Sequence, residues 1–227
     1  MDVGSVLSEA WGLYRTHFVR FVITAALVFV VVDLVTGVAR TTADEGWLAS
    51  LVWGLISGAA GLIGLFWLQG ALVETVRDVR DGVAERSVTE VYAATGKHLG
   101  ALIVAGVLAG IGVAIGLVLL VVPGLYLLTR WSLIVPVIVL EDRRAGESFS
   151  RSSELVRGKG WEVFGVVFVT ILLGVVAREV IIALFAPLPE FLEGWLGGLV
   201  ASSLVFPFVA LAWTTMYYRL AQVPETA

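Results

Sequence analysis

Long uncharged stretches alternate with short charged ones along the chain. Residues 47–73 and 194–218 contain no charged side chain, and each is long enough for a helix that crosses about 30 Å of hydrocarbon. Residues 18–39 and 162–184 are also long enough, although each stretch contains charged residues. This pattern predicts four transmembrane helices.

A fifth apolar stretch, residues 99–140, has Arg130 as its one charged residue and is too long for one crossing. A single helix over these residues would extend about 63 Å, so the chain must fold back. Pro123-Gly124 is the only strong helix breaker near the middle. The stretch therefore predicts two spans joined by a tight turn, over residues 99–122 and 125–141. The total is six spans, and the predicted fold class is an all-α, polytopic membrane helix bundle.

Three charged segments that precede spans resemble one another. They read SVLSEAWGLYRTHF from Ser5, SVTEVYAATGKHL from Ser87 and SFSRSSELVRGKGW from Ser148. Their apolar residues recur at helical spacing, which predicts amphipathic helices in the membrane interface. Ser87 and Glu90 have the spacing of a helix capping box.

These segments indicate an internal repeat within a single membrane domain, residues 1–227. Each unit would consist of one interfacial helix and two spans, with boundaries at about 1–80, 83–142 and 145–221. The alternative is that short connections between spans produce similar capped helices without any duplication. Matches this short leave both explanations open.

Composition and charge support a membrane protein and suggest its orientation. Of the 227 residues, 59% are hydrophobic and 15% charged, and the mean hydropathy is +0.95; soluble domains have about 45–50% apolar and about 25% charged residues. The absence of cysteine excludes disulfides, thiol catalysis and cysteine-ligated metals. Twelve lysines and arginines lie on one predicted side of the membrane and only Arg40 on the other. This predicts a multi-pass protein of the plasma membrane with cytoplasmic N- and C-termini.

Four charged residues within the spans form a candidate polar cluster, Asp33, Arg130, Arg178 and Glu179. Their positions along the predicted helices place them in the outer half of the bundle. An unpaired charge near the bilayer centre costs at least ~2.5–3.5 kcal/mol, so we expect Arg130 to pair with Asp33 or Glu179, and Arg178 with the other. Such a cluster could hold an anionic head group or relay protons, or it could be a structural lock between helices.

Two segments resemble a known family. The stretch PGLYLLTRWSLIVPVIVLED and the following SRSSELVRGKGWEVF resemble the membrane domain of bacterial glycerophosphoryl diester phosphodiesterases. This domain is also found in many stand-alone six-span membrane proteins, most of them without an assigned function. The matching positions are Pro123, Gly124, Arg130, Pro136 and Glu141, then Arg151, Ser152, Glu154, Leu155, Val156, Gly158 and Trp161.

The resemblance implies the fold but not the phosphodiesterase activity. In the fused enzymes catalysis belongs to a separate soluble barrel with metal ligands, and these 227 residues contain no such barrel. We therefore predict no catalytic residues, no metal site and no cofactor. The expected function is an accessory or scaffold protein that binds membrane lipids or another membrane protein, and not nucleic acid. The alternatives are a small transporter or channel using the outer polar cluster, and an intramembrane enzyme for which no nucleophile or metal set can be named.

Overall fold

The computed structural model describes residues 2–42, 46–82, 86–189 and 192–221, and this part of the chain is helical. A turn of π-helix, Glu193–Gly197, precedes the last helix. The helices in chain order are α1 (Val3–Thr16), α2 (Phe18–Thr42), α3 (Trp47–Arg80), α4 (Val88–Gly96), α5 (Leu99–Leu119), α6 (Val121–Arg130), α7 (Ile134–Glu141), α8 (Ala145–Val156), α9 (Gly160–Ala183) and α10 (Gly198–Ala221).

Six helical segments of the described chain are long and apolar enough to cross a membrane. They are Phe18–Val35, Trp47–Arg80, Leu99–Leu119, Val121–Glu141, Gly160–Ala183 and Trp195–Ala221. The predicted all-α bundle with six membrane helices is therefore confirmed.

The turn between α5 and α6 lies earlier than predicted. Leu120, with φ −158° and ψ 137°, is the one extended residue between the two helices. Pro123 is already the third residue of α6, where its missing N–H costs no helical hydrogen bond. The prediction of a tight turn is correct, but its placement at Pro123-Gly124 is wrong because a proline is tolerated in the first turn of a helix.

The fourth membrane segment is interrupted by a turn over residues 131–133, between α6 and α7. Pro136 is the third residue of α7 and is buried, so it stands in a first helical turn. Ser132 Oγ donates to the Thr129 carbonyl at 2.9 Å, and the Leu133 N–H donates to Ser152 Oγ at 3.2 Å. These bonds replace part of the backbone pairing that the interruption removes.

The interior consists of three hydrophobic clusters arranged around α3 and α10. One joins α1–α4 and α10, and is centred on residues such as Phe21 and Leu72. A second joins α1, α7, α8, α9 and α10, with Val137 and Met216 fully buried. A third lies between α3, α5 and α7, around Leu102. The helices thus form one contiguous bundle.

The three serine-led segments form helices separate from the spans that follow. α4 begins with the predicted Ser87–Glu90 capping box. α1 is capped instead by Asp2, whose carboxylate accepts from the Ser5 N–H at 2.8 Å, and α8 begins three residues before Ser148. Each segment packs buried residues against the bundle. The location of these helices in the membrane interface and their origin by duplication remain predictions.

We predict that Gly116→Ala destabilises the protein. A Cβ at Gly116 would lie 2.9 Å from the Cα and N of Gly124, and backbone atoms cannot move aside as a flexible side chain can. Overpacking of this kind costs about 1–3 kcal/mol, which corresponds to a melting temperature lower by several degrees in detergent. Gly110→Ala is the matched control because a Cβ at Gly110 meets nothing within 4 Å. Equal melting temperatures for the two variants would contradict the close α5–α6 contact.

Candidate functional site: ion pairs and a cleft at the basic end

The structure does not assemble the predicted outer polar cluster. Arg178 Nη1 lies 2.7 Å from Oε1 of its neighbour Glu179, and the two side chains are 50% and 64% exposed. The Arg130 guanidinium lies over the Tyr126 ring, with Cζ 5.6 Å from the ring centroid, and forms no ion pair with the described residues. Asp33 lies on α2, which packs mainly against α3 and α10 rather than against α6 or α9. The predicted pairing of Arg130 with Asp33 or Glu179 is therefore wrong.

The reason is local chemistry. Arg178 and Glu179 are adjacent in sequence and neutralise each other without reaching another helix. Tyr126 precedes Arg130 by one helical turn, and an aromatic face attracts a guanidinium within about 6 Å. Similar positions along the helices are not sufficient to predict an ion pair, because the two helices must also be neighbours.

Two buried carboxylates instead form the centre of a charged network near the end of α3. Asp78 and Glu74 are 2% and 3% exposed, and their i, i+4 spacing places them on one face of α3. Asp78 Oδ2 accepts from Arg20 of α2 at 2.8 Å, and Oδ1 accepts from Arg86 Nε at 2.9 Å. Glu74 accepts from Arg86 Nη2 at 3.2 Å. The hydrogen bond to Asp78 raises the pKa of Arg86, so this pairing persists across the physiological pH range.

A cleft of about 320 Å³ opens beside this network, between the end of α3 and α4. Its lining residues are Glu74, Arg77, Asp78, Asp81, Arg86, Ala94 and Lys97. Arg77 is held only loosely, with nitrogen–oxygen distances of 3.8 Å to both Glu74 and Asp81. Lys97 is exposed and forms no ion pair with any residue that the structure describes. The cleft therefore presents two cationic side chains, Arg77 and Lys97, that can donate hydrogen bonds to an additional anionic group.

A second network connects the first and last helices of the described chain. Glu9 of α1 accepts from Arg80 of α3 at 2.6 Å and from Arg219 Nε of α10 at 2.9 Å. Arg219 also donates to the Ser5 carbonyl at 3.1 Å, and the Arg80 guanidinium lies 4.6 Å from the Tyr218 ring centroid. Three helices are thereby fixed at the same end as the cleft.

A third network joins Tyr217 of α10 to residues that carry the family resemblance. Glu141, at the end of α7, accepts from Arg151 Nε of α8 at 3.0 Å and from the Tyr217 hydroxyl of α10 at 3.0 Å. The hydrogen bond to Glu141 raises the pKa of Arg151. Ser152 Oγ donates to the Arg130 carbonyl at 2.7 Å and accepts a hydrogen bond from the Leu133 N–H. Together these contacts hold α8 across the interruption between α6 and α7.

The remaining motif residues have separate positions. Glu154 lies 3.7 Å from Arg151 on α8. Gly158 has φ +81° in the turn before α9, a backbone conformation that favours glycine. Trp161 is 86% exposed at the start of α9, and exposed tryptophans are enriched at membrane–water interfaces. Pro123 and Gly124 belong to the α5–α6 hairpin.

A buried histidine adjoins the cleft. His98 is 5% exposed, and its Nδ1 lies 3.4 Å from Oδ1 of Asp142. Burial lowers the pKa of His98, so the imidazole is neutral near pH 7. Within the described residues, no three histidine, aspartate or glutamate side chains converge on a position that could hold a metal ion.

Sequence reasoning missed the acidic members of the first two networks, Glu9, Glu74 and Asp78. The available signal was the i, i+4 pair of carboxylates at the end of a long apolar helix, close to Arg77, Arg80 and Arg86. Tyr217 gave no signal, because it lies 76 positions from its partner Glu141.

We predict that Asp78→Asn destabilises the protein much more than Glu179→Gln. Removing the Asp78 charge leaves two arginines without their main partner at a buried site, and breaking such a pair costs about 3–5 kcal/mol. The Arg178–Glu179 pair is exposed, and exposed pairs contribute about 0–1 kcal/mol. Chemical or thermal unfolding of both variants in the same detergent measures the difference. Similar losses would mean that the network around Asp78 does not stabilise the bundle.

Comparison with known proteins places the chain in a family. The family model for the membrane domain of glycerophosphoryl diester phosphodiesterase matches residues 103–224, more than half of the chain. This range includes α6–α10 and the whole Glu141–Arg151–Tyr217 network. No curated protein and no solved structure matches the chain. The chain therefore belongs to the family of the membrane domain of glycerophosphoryl diester phosphodiesterase and is a multi-pass integral membrane protein.

Proposed function

We propose that this chain is an accessory membrane protein that binds phospholipid head groups in the cleft between α3 and α4 and has no catalytic site of its own. It would lie in the plasma membrane with both termini in the cytoplasm, as its lysines and arginines indicate. The observation that carries the proposal is the pair of available cations, Arg77 and Lys97, at a cleft of about 320 Å³.

The position and chemistry of the cleft support a phospholipid ligand. It lies where a membrane-crossing helix ends and the charged segments begin, the level at which head groups are found. Arginine and lysine side chains are the usual partners of phosphate oxygens. The acidic residues in the same cleft, above all the exposed Asp81, disfavour extended polyanions, so a single head group fits better than a nucleic acid.

The state of the carboxylates supports a binding role rather than catalysis. A general base must be available to accept a proton from substrate. Asp78 accepts from two arginines and Glu74 from one, so the charge of each is already compensated. Glu141 is likewise bonded to Arg151 and Tyr217. These groups are arranged to join helices.

Transport through the outer polar cluster has less support. That proposal required Asp33, Arg130, Arg178 and Glu179 to line a common cavity, whereas Arg178 and Glu179 form an exposed pair with each other. A scaffold whose helices are fixed by ion pairs at one end agrees better with the three networks. A membrane protein partner is the alternative occupant of the same charged surface.

The proposal predicts selective stabilisation by anionic phospholipid. Protein in a neutral detergent would be titrated with phosphatidylglycerol and, separately, with diacylglycerol of the same acyl chains. A ligand at about 100 times its Kd stabilises the folded state by about 2.7 kcal/mol, or roughly 5–10 °C in melting temperature for a chain of this size. Phosphatidylglycerol should produce a shift of this order, and diacylglycerol, which lacks the phosphate, should not.

Single substitutions assign the effect to the cleft. Lys97→Gln and Arg77→Gln should each reduce the shift by at least half. Lys159→Gln, an exposed lysine near the start of α9 and outside the cleft, should leave the shift unchanged. Equal shifts for phosphatidylglycerol and diacylglycerol, or equal losses in all three variants, would refute head-group binding at this cleft.

A further inference from the structure

The connection between α5 and α6 exposes a continuous aliphatic surface. The five side chains from Val118 to Val122 are 62–87% exposed, and we call these residues the hairpin tip. Every residue from Leu99 to Leu125 is aliphatic, glycine or proline. A patch of this kind on a protein surface marks contact with an apolar partner rather than with water.

The other two connections at this end of the bundle have a different composition. The α2–α3 connection contains Asp44 and Glu45, and the segment between α9 and α10 contains Glu190 and Glu193. These are the polar residues expected of loops that reach water. The hairpin tip has no such residue, so its sequence is that of a span and not of an aqueous loop.

The backbone of the tip is a tight turn between two closely packed helices. The Leu120 N–H donates to the Gly116 carbonyl at 3.0 Å, and Pro123 contributes no donor to the first turn of α6. Gly116 and Gly124 allow the two helices to approach so closely that a Cβ on Gly116 would lie 2.9 Å from the Gly124 backbone. The polar backbone groups that the two helix ends leave unpaired are thus confined to one tight turn, which limits what hydrocarbon must accommodate.

The length of α5 leads to the same conclusion. Its 21 residues extend about 31 Å, close to the thickness of the hydrocarbon layer. It is the shortest of the uninterrupted membrane helices in the described chain, since α2, α3, α9 and α10 have 24 to 34 residues. A typical tilt of about 20° reduces its reach along the membrane normal to about 30 Å, so α5 does not extend beyond the hydrocarbon layer.

An apolar stripe on α5 runs directly into the hairpin tip. Val104, Leu108, Ile111 and Ile115 are 51–55% exposed and recur at helical spacing along the outer face of α5. This stripe contacts acyl chains in any membrane helix bundle. The hairpin tip continues that surface. We therefore infer that lipid acyl chains contact the tip as well.

We propose that the hairpin tip lies within the hydrocarbon of the leaflet opposite the basic residues and is covered by lipid acyl chains, so that the α5–α6 connection does not emerge into water. The α5–α6 pair is then a membrane-embedded hairpin, unlike the α2–α3 and α9–α10 pairs. This inference does not depend on head-group binding at the cleft, which lies at the other end of the bundle.

The absence of cysteine makes single-cysteine labelling straightforward. Leu120→Cys and Val122→Cys would each carry a nitroxide in protein reconstituted into phosphatidylethanolamine–phosphatidylglycerol liposomes. Glu193→Cys, at a charged position before α10 at the same end of the bundle, is the matched control. Collision rates with oxygen, which concentrates in hydrocarbon, and with a water-soluble nickel chelate report the surroundings of each label in either orientation of the protein.

We expect collisions with oxygen to exceed those with nickel several-fold at Leu120 and Val122, and the opposite ratio at position 193. Nickel accessibility at the tip equal to that at position 193 would overturn the proposal, because the tip would then lie in water. Low accessibility to both reagents would also overturn it, because a second copy or another protein would then cover the tip. The two tip positions serve as checks on each other if one variant fails to fold.

Discussion

The structure depends on neutralising charge where helices meet and water is scarce. Glu9, Asp78 and Glu141 each accept from arginines that belong to other helices. A charge in such a position is costly unless it is paired and hydrogen-bonded, so each pair fixes both the distance and the register of the helices that contribute to it. Because α3 and α10 take part in these networks, the two central helices of the bundle are positioned by ion pairs as well as by apolar packing.

The two ends of the bundle therefore differ in their physical chemistry. In the described residues, the interhelical ion pairs lie at the end that contains Arg20, Arg86 and Arg219, whereas Arg178 and Glu179 pair only with each other. The opposite end includes the aliphatic hairpin tip, which is closed by the contact of Gly116 with Gly124. Under the two proposals, one end binds a charged head group and the other end contacts hydrocarbon. The asymmetry is consistent with a protein that acts at one surface of the membrane.

The elements of this fold were predictable because membrane spans and capping boxes are local signals. Hydropathy identified the six crossing segments, and Ser87 with Glu90 marked the start of α4. The partners of the charged residues were not predictable, since Glu9 and Arg219 are 210 positions apart and no local pattern connects them. For Arg130, position along the helix indicated a level in the bundle but not which helix lies beside it, and a neighbouring tyrosine replaced the expected carboxylate. The predicted turn position is wrong for another reason: proline breaks a helix in its interior, but Pro123 lies in the first turn of α6, which accommodates proline.

The resemblance to the phosphodiesterase membrane domain gains a physical meaning from these contacts. Ser152 bonds the backbone on both sides of the interruption between α6 and α7, through the Arg130 carbonyl and the Leu133 N–H, while Arg151 joins the same helix, α8, to Glu141 at the end of α7. Part of the motif thus compensates for a break in a membrane-crossing helix, which would otherwise leave backbone groups unpaired in a region poor in water. A motif with this role specifies a fold whatever chemistry an attached domain performs. Membership of the family therefore accounts for the architecture of the bundle, while the proposed function rests on the cleft formed by α3 and α4, outside the matched residues.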